Sequence, residues 1–212
     1  MTHLTDFEAA FARFPLVAIL RGVRPDEVEA IGDALVGAGF TLLEVPMNSP
    51  DPLDSVARLA RRFAGRAMVG AGTVLRASDV AAVQGAGGTM VISPNANPAV
   101  IAATAAAGLV SLPGTATPTE AFGALDAGAT ALKFFPAEGT SPVVVTAMLA
   151  VLPSGTRLLP VGGVTPELVA PWRAAGAAGF GLGSALYKPG MTAVDVAARA
   201  RSFAAALRAE SA

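Results

Sequence analysis

Apolar residues in this chain come in short, regularly spaced runs, and helical periodicity fills the intervals between them. The runs are Val17-Ala18-Ile19-Leu20, Leu42-Leu43-Glu44-Val45-Pro46, Met68 through Thr73, Met90-Val91-Ile92-Ser93-Pro94, Leu109-Val110-Ser111-Leu112-Pro113, Ala131 through Pro136, Leu158-Leu159-Pro160-Val161 and Gly179 through Ser184. Strands apolar on both faces are what a buried parallel sheet requires. Between them, Val28, Ile31 and Leu35, then Leu53, Val56, Leu59 and Phe63, recur at helical spacing. Residues 4–13 have the same period and no strand before them, which predicts a short leading helix. A last helix is expected through Val194, Val196, Phe203 and Leu207.

Start and stop signals sharpen the pattern. Pro25-Asp26-Glu27, Asp51-Pro52, Ser78, Asn97-Pro98, Ser141-Pro142 and Thr165-Pro166-Glu167 precede or open the helical stretches. Thr117 with Glu120 three residues on forms a capping box. Gly39, Gly108, Gly128 and Gly176 stand where helix C-caps belong. Eight strand–helix units without a linker predict one domain over residues 1–212, a (β/α)8 TIM barrel with a short N-terminal helix. An open doubly wound sheet is the alternative.

Composition narrows the chemistry. Just over half of the 212 residues are hydrophobic, 15% are charged, and the net charge is −1. A large core can be buried, and neither a basic block nor aromatic–basic interleaving points to nucleic acid. No apolar stretch is long enough to span a membrane, and the first residues lack the basic-then-apolar pattern of a signal peptide. There is no cysteine, so thiolate and disulfide chemistry is excluded and a cytoplasmic setting is compatible. The single histidine, His3, lies outside every motif. A histidine-ligated metal, a Ser-His-Asp triad and a histidine base are therefore not expected.

In a barrel the active site lies where strands end. The residues at those positions are Arg21, Glu44, Thr73, Pro94, Pro113, Lys133, Gly162-Gly163 and Gly183-Ser184. Lys133, one of only two lysines, interrupts an apolar run. Burial of an ammonium is unfavourable, and a neutral amine is a nucleophile toward a carbonyl carbon. The alternative is a lysine whose stem packs while its head reaches water. Glu44 is the one strand-end acid, suited to proton transfer or to a salt bridge with Lys133 or Arg21. Arg21 can hold a substrate carboxylate with its planar fork or pair structurally with Glu44, and Thr73 can add a hydroxyl contact. Glycines after strands seven and eight admit close backbone approach and suit a phosphate, or merely make room for packing. The pair Gly70 and Gly72 lacks a dinucleotide fingerprint and fits packing or substrate approach.

These motifs together resemble the 2-keto-3-deoxy-6-phosphogluconate aldolases and their 6-phosphogalactonate relatives, class I pyruvate aldolases. The resemblance runs from about Val17 to Lys188. It rests on Ile19-Leu20-Arg21-Gly22, Glu44 through Pro50, Gly70-Ala71-Gly72-Thr73-Val74, Leu132-Lys133-Phe134-Phe135-Pro136, Val161-Gly162-Gly163-Val164 and Gly181-Leu182-Gly183-Ser184. It implies an imine on Lys133 and proton transfer by Glu44. Arg21, Thr73, Pro94, Pro113 and Phe135 would surround the pyruvyl end, and Gly162, Gly163, Gly183 and Ser184 would hold the phosphate. The substrate would be a phosphorylated 3-deoxy-2-keto sugar acid, cleaved to pyruvate and glyceraldehyde 3-phosphate without metal or cofactor, and a homotrimer is expected. Val161, where phosphogluconate-type members usually carry threonine, makes the chain look more like the phosphogalactonate branch, as does Asn48-Ser49-Pro50. Phe135-Pro136-Ala137-Glu138 is closer to the phosphogluconate pattern. Two rivals remain at this stage: a phosphosugar isomerase using a carboxylate base, and a non-catalytic sensor of phosphorylated keto acids.

Overall fold

The computed structural model describes residues 3–209. A leading helix α1 (Leu4–Arg13) comes first, and strands and helices then alternate. They are β1 (Leu16–Ile19), α2 (Val28–Gly37), β2 (Leu42–Pro46), α3 (Pro52–Arg62), β3 (Met68–Gly72), α4 (Ala77–Gly85), β4 (Met90–Ile92) and α5 (Pro98–Ala106). The fifth run is broken into β5 (Val110–Leu112) and β6 (Gly114–Thr115), followed by α6 (Pro118–Asp126), β7 (Leu132–Phe134) and α7 (Val143–Leu149). Then come β8 (Leu158–Pro160), α8 (Val169–Ala174), β9 (Phe180–Leu182) and α9 (Ala193–Ala209). Short 3-10 turns occupy Ala137–Gly139 and Pro166–Leu168.

Every ladder is parallel. Six strands run in the order β5-β4-β3-β2-β1-β9, and three more run β6-β7-β8. An isolated parallel bridge between Val161 and Gly181 joins β8 to β9. The break between β5 and β6 falls at Pro113, which has no N–H to give the ladder; its carbonyl accepts the Lys133 N–H at 2.9 Å. The expected single fifth strand is therefore two, and the chain forms two curled parallel sheets rather than one uninterrupted ladder.

Alternation along the strands sorts the core into two layers. Leu16, Ala18, Leu43, Val45, Val69, Val91 and Leu132 pack outward against the helices. Val17, Leu42, Met68, Met90, Val110 and Leu159 face the concave side, where Phe7 and Phe11 of α1 pack against them. The leading helix thus supplies aromatic filling at the end where the strands begin. Its Phe7 and Phe11 rings lie 5.3 Å apart, a separation at which aromatic pairs attract.

Most boundary signals hold. Gly39, Gly108, Gly128 and Gly176 take the left-handed backbone expected just past a helix. Asn97 caps α5 by accepting from the Ala99 N–H at 3.0 Å. Both halves of the Thr117–Glu120 capping box form. Thr117→Ala is expected to lower stability by about 1 kcal/mol, read as a fall in the urea midpoint with unchanged slope. Two expectations fail. Ser78 lies inside α4, whose N-cap is Arg76, and its hydroxyl caps nothing. Pro25-Asp26-Glu27 forms a single turn, closed by the Val28 N–H to the Arg24 carbonyl, and α2 begins only at Val28. The last helix, α9, does run through Val194, Val196, Phe203 and Leu207; its buried stripe is Val196, Ala200, Phe203, Ala204 and Leu207, and Val194 is 76% exposed.

Candidate active site

Strand parity brings the two lone charges together. Glu44 follows Leu42 by two residues, and Lys133 follows Ala131 by two, so both side chains fall on the concave face. They are almost fully buried, at 1% and 5% exposure. Ile19, Glu44, Ile92, Leu112, Lys133 and Val161 line a narrow inner recess. Above it opens a cavity of about 550 Å³ that shares Ile19, Lys133, Val161 and Gly181 with the recess. Its rim holds Arg21, Phe135, Gly162, Gly163, Gly183 and Ser184.

Neither charge is neutralised by contact. Among the described residues, neither Glu44 oxygen has a hydrogen-bond partner, and no ion pair joins Glu44 to Lys133 or Arg21. The salt-bridge alternatives for Glu44 and Arg21 are therefore not what the chain adopts. Arg21 instead donates to Asn48 Oδ1 at 2.6 Å and to Thr73 Oγ1 at 3.4 Å. Lys133 Nζ lies 4.8 Å from the centroid of the Phe135 ring, close enough for a cation–π contact. The residue is 5% exposed and lies in the cavity wall.

Burial acts on both groups in the direction of neutrality. It lowers the Lys133 pKa, opposed by the Glu44 charge and reinforced by Arg21. It raises the Glu44 pKa, opposed by Lys133 and Arg21. An amine and a carboxylic acid on one concave face can add to a carbonyl carbon and carry protons for the steps that follow.

Backbone geometry shapes the rim. Gly162 and Gly163 have φ of 104° and 65°, which glycine alone adopts freely. Gly183 has open space where a Cβ would stand. Thr73 sits at φ 55°, an outlier for a β-branched residue, and it is the residue whose hydroxyl meets Arg21. Pro94 and Pro113 lie near strand ends but line neither the recess nor the cavity.

Sequence reasoning missed two charged residues of this cavity. Glu138, in the 3-10 turn after β7, packs against Gly163, where an added Cβ would stand 2.7 Å from the Glu138 Cβ. Lys188 lies on the loop after β9 beside Pro189, so Lys133 is not the only lysine of the mouth. Lys188 is exposed and does not reach the inner recess. Its place just past the Gly183-Ser184 motif was the available signal. Tyr187, also in the cavity wall, donates to Glu27 at 3.3 Å, and burial raises its pKa. A second hollow at the opposite end, lined by Asp6, Arg13 and Arg66, contains none of these groups.

A buried amine and an unpartnered acid at the carboxyl ends of parallel strands define an enzyme of carbonyl chemistry. The family to which the chain belongs is that of the KDPG and KHG aldolases, whose family model matches residues 7–202. It is 47% identical over 192 residues to the probable 2-dehydro-3-deoxy-6-phosphogalactonate aldolase of Rhizobium meliloti, covering 91% of both chains. It is 44% identical to the 2-dehydro-3-deoxy-6-phosphogalactonate aldolase of Escherichia coli, covering 92% of this chain and 96% of the relative. A solved structure described as native KDPGal superposes with a TM-score of 0.93 at 43% identity, over 94% of this chain and 97% of the other.

Proposed function

We propose that the protein cleaves 2-dehydro-3-deoxy-6-phosphogalactonate to pyruvate and glyceraldehyde 3-phosphate through an imine on Lys133. The observation that carries this reading is the buried Lys133 amine, free of any ion pair, on the same concave face as the unpartnered Glu44. The two strong likenesses to enzymes of that name support the substrate.

The neutral Lys133 amine adds to the substrate C2 carbonyl, and water leaves to give an iminium. Glu44 takes the proton of the C4 hydroxyl. The C3–C4 bond breaks, its electron pair moves into an enamine, and C4 to C6 depart as the phosphorylated aldehyde. Glu44 returns the proton to C3, which becomes the methyl of the pyruvyl imine, and water releases pyruvate. Arg21, held by Asn48 and Thr73, faces the substrate carboxylate, with Phe135 covering the imine. Pro94 and Pro113 act only as backbone, since neither lines the cavity. The phosphate lies against Gly162, Gly163, Gly183 and Ser184, where Lys188 supplies positive charge opposite Glu138. No metal takes part, and a chelator is expected to leave the rate unchanged.

This reading takes the two sheets as one closed (β/α)8 barrel in a single domain. The Val161–Gly181 bridge and the continuity of the chain through Pro113 support it. A homotrimer is carried forward on the resemblance, with exposed Leu75, Phe122 and Val143 as apolar surface; sedimentation measures it. Among the described residues no helix is long and apolar enough to cross a membrane.

The test is borohydride trapping with pyruvate followed by peptide mapping. The expected adduct is on Lys133; folded protein that binds pyruvate without an adduct would favour the isomerase or sensor instead. Val161 is buried at the mouth and offers no hydrogen bond. Val161→Thr is expected to shift the ratio of kcat/KM toward the gluconate epimer by about tenfold, the worth of one hydrogen bond. An unchanged ratio removes Val161 from epimer selection.

A further inference from the structure

Glu44 has no hydrogen bond to aim it, yet it sits fully inside the protein. What fixes its direction is the neighbouring strand. In the β2–β3 ladder Glu44 pairs with Gly70 and Pro46 pairs with Gly72. The carboxylate of Glu44 runs forward from its own pairing position and comes to lie over Gly72. A Cβ on Gly72 would overlap Oε1 and Cδ of Glu44 and stand 2.7 Å from its Cγ.

The reason for glycine at this position is space, not backbone conformation. Gly72 lies within a regular parallel strand and is absent from the positive-φ residues. Alanine could adopt its backbone without strain. Gly70, on the same face, differs in what it avoids: a Cβ there would strike the Met90 backbone carbonyl, so that glycine serves the packing of β3 on β4. Of these two glycines, Gly72 is the one whose obstructed group is a titratable side chain that can shift.

We infer that Gly72 is a positioning residue for proton transfer, its missing side chain providing the slot that holds the Glu44 carboxylate beside Lys133. The inference rests on the aldolase reading and adds to it a residue that touches neither substrate nor amine. With methyl in the slot, the carboxylate must rotate away from the concave face while Lys133 keeps its surroundings.

Three variants test it: Gly72→Ala, Glu44→Ala and the two combined. Each is measured by thermal melting, by borohydride trapping of pyruvate on Lys133, and by exchange of the pyruvate methyl protons in deuterated water. Gly72→Ala is expected to retain trapping while exchange falls at least about tenfold, part of what a misplaced base loses. Glu44→Ala ends at Cβ and leaves the slot over Gly72 empty. Adding Gly72→Ala to Glu44→Ala should therefore cost little further exchange, a strongly non-additive cycle. A glycine needed only for strand packing would slow both backgrounds by the same factor, and that result overturns the inference. So does exchange in Gly72→Ala within about twofold of wild type, given the size such a displacement should have. Should Gly72→Ala alone fail to fold, folding of the double variant supports the steric conflict and its failure overturns it. A wild-type protein that traps no pyruvate overturns the aldolase reading, and the inference with it.

Discussion

Lys133→Ala is expected to lose essentially all turnover, on the order of 10⁴-fold or more, because the whole covalent route goes with the amine. Trapping with pyruvate and borohydride should vanish in parallel. The other lysine of the mouth, Lys188, is exposed and outside the recess that holds Glu44, so it is no substitute. Substantial remaining activity would remove the imine from the mechanism. The pH dependence of trapping by the wild type adds an independent check. The reacting form is the neutral amine, and burial lowers the Lys133 pKa. Trapping should therefore rise with pH and level off well below the ordinary lysine value of 10.5. A plateau only near that value would mean the amine is not desolvated during reaction. Stability should move the other way from activity. Burying an amine costs stability whether it keeps its charge or gives up its proton, and among the described residues Lys133 has no ion-pair partner to offset this, so Lys133→Met is expected to melt at a temperature equal to or higher than wild type.

Glu44→Gln is the second large effect. It keeps the volume and the carbonyl oxygen but removes the proton carrier. Cleavage and pyruvate proton exchange should both fall by roughly 10²- to 10⁴-fold, the range for loss of general acid–base help. The adduct on Lys133 should still form, more slowly, because amine attack does not itself require Glu44. The split between retained trapping and lost exchange is the signature of a proton carrier. Equal loss of both would assign Glu44 to shaping the pocket instead, and an unchanged exchange rate would take it out of the chemistry altogether.

Lys133 and Glu44 were legible in the chain because a charge inside an apolar run must be explained, and strand parity then aims both inward. The mouth was legible because parallel strands end together. Thr117 and Asn97 were legible because caps act within a few residues of themselves. What escaped was set by distant partners. Pro113 splits a strand only because of where its missing N–H falls in the ladder beside β7. Ser78 satisfies the composition of a cap yet lies two residues past the N-cap position. Glu138 reaches the cavity through a turn whose path no local pattern gives, and Lys188 through a loop that folds back past Ser184. Pro94 and Pro113 had the right position along their strands, yet neither lines the recess or the cavity. The role of Gly72 depends on which side chain lies across it, which only the register of β2 against β3 decides.

The division of the strands into two ladders means that the amine and the acid ride on different platforms. Glu44 belongs to the six-stranded sheet, with Arg21 just past the end of its β1, and Lys133 to the three-stranded one. Between the platforms run scattered links: the Val161–Gly181 bridge and the Ala178 N–H to the Leu158 carbonyl on one side, and on the other the Thr130 and Ala131 N–H groups to the Ser111 carbonyl, the Ser111 N–H to the Thr130 hydroxyl and the chain through Pro113. Continuous ladders resist sliding; isolated links resist it less. On the proposed mechanism the proton carrier and the amine face each other across these seams, so substitutions along them, away from any substrate atom, are expected to change the rate of proton transfer while leaving the reacting groups in place.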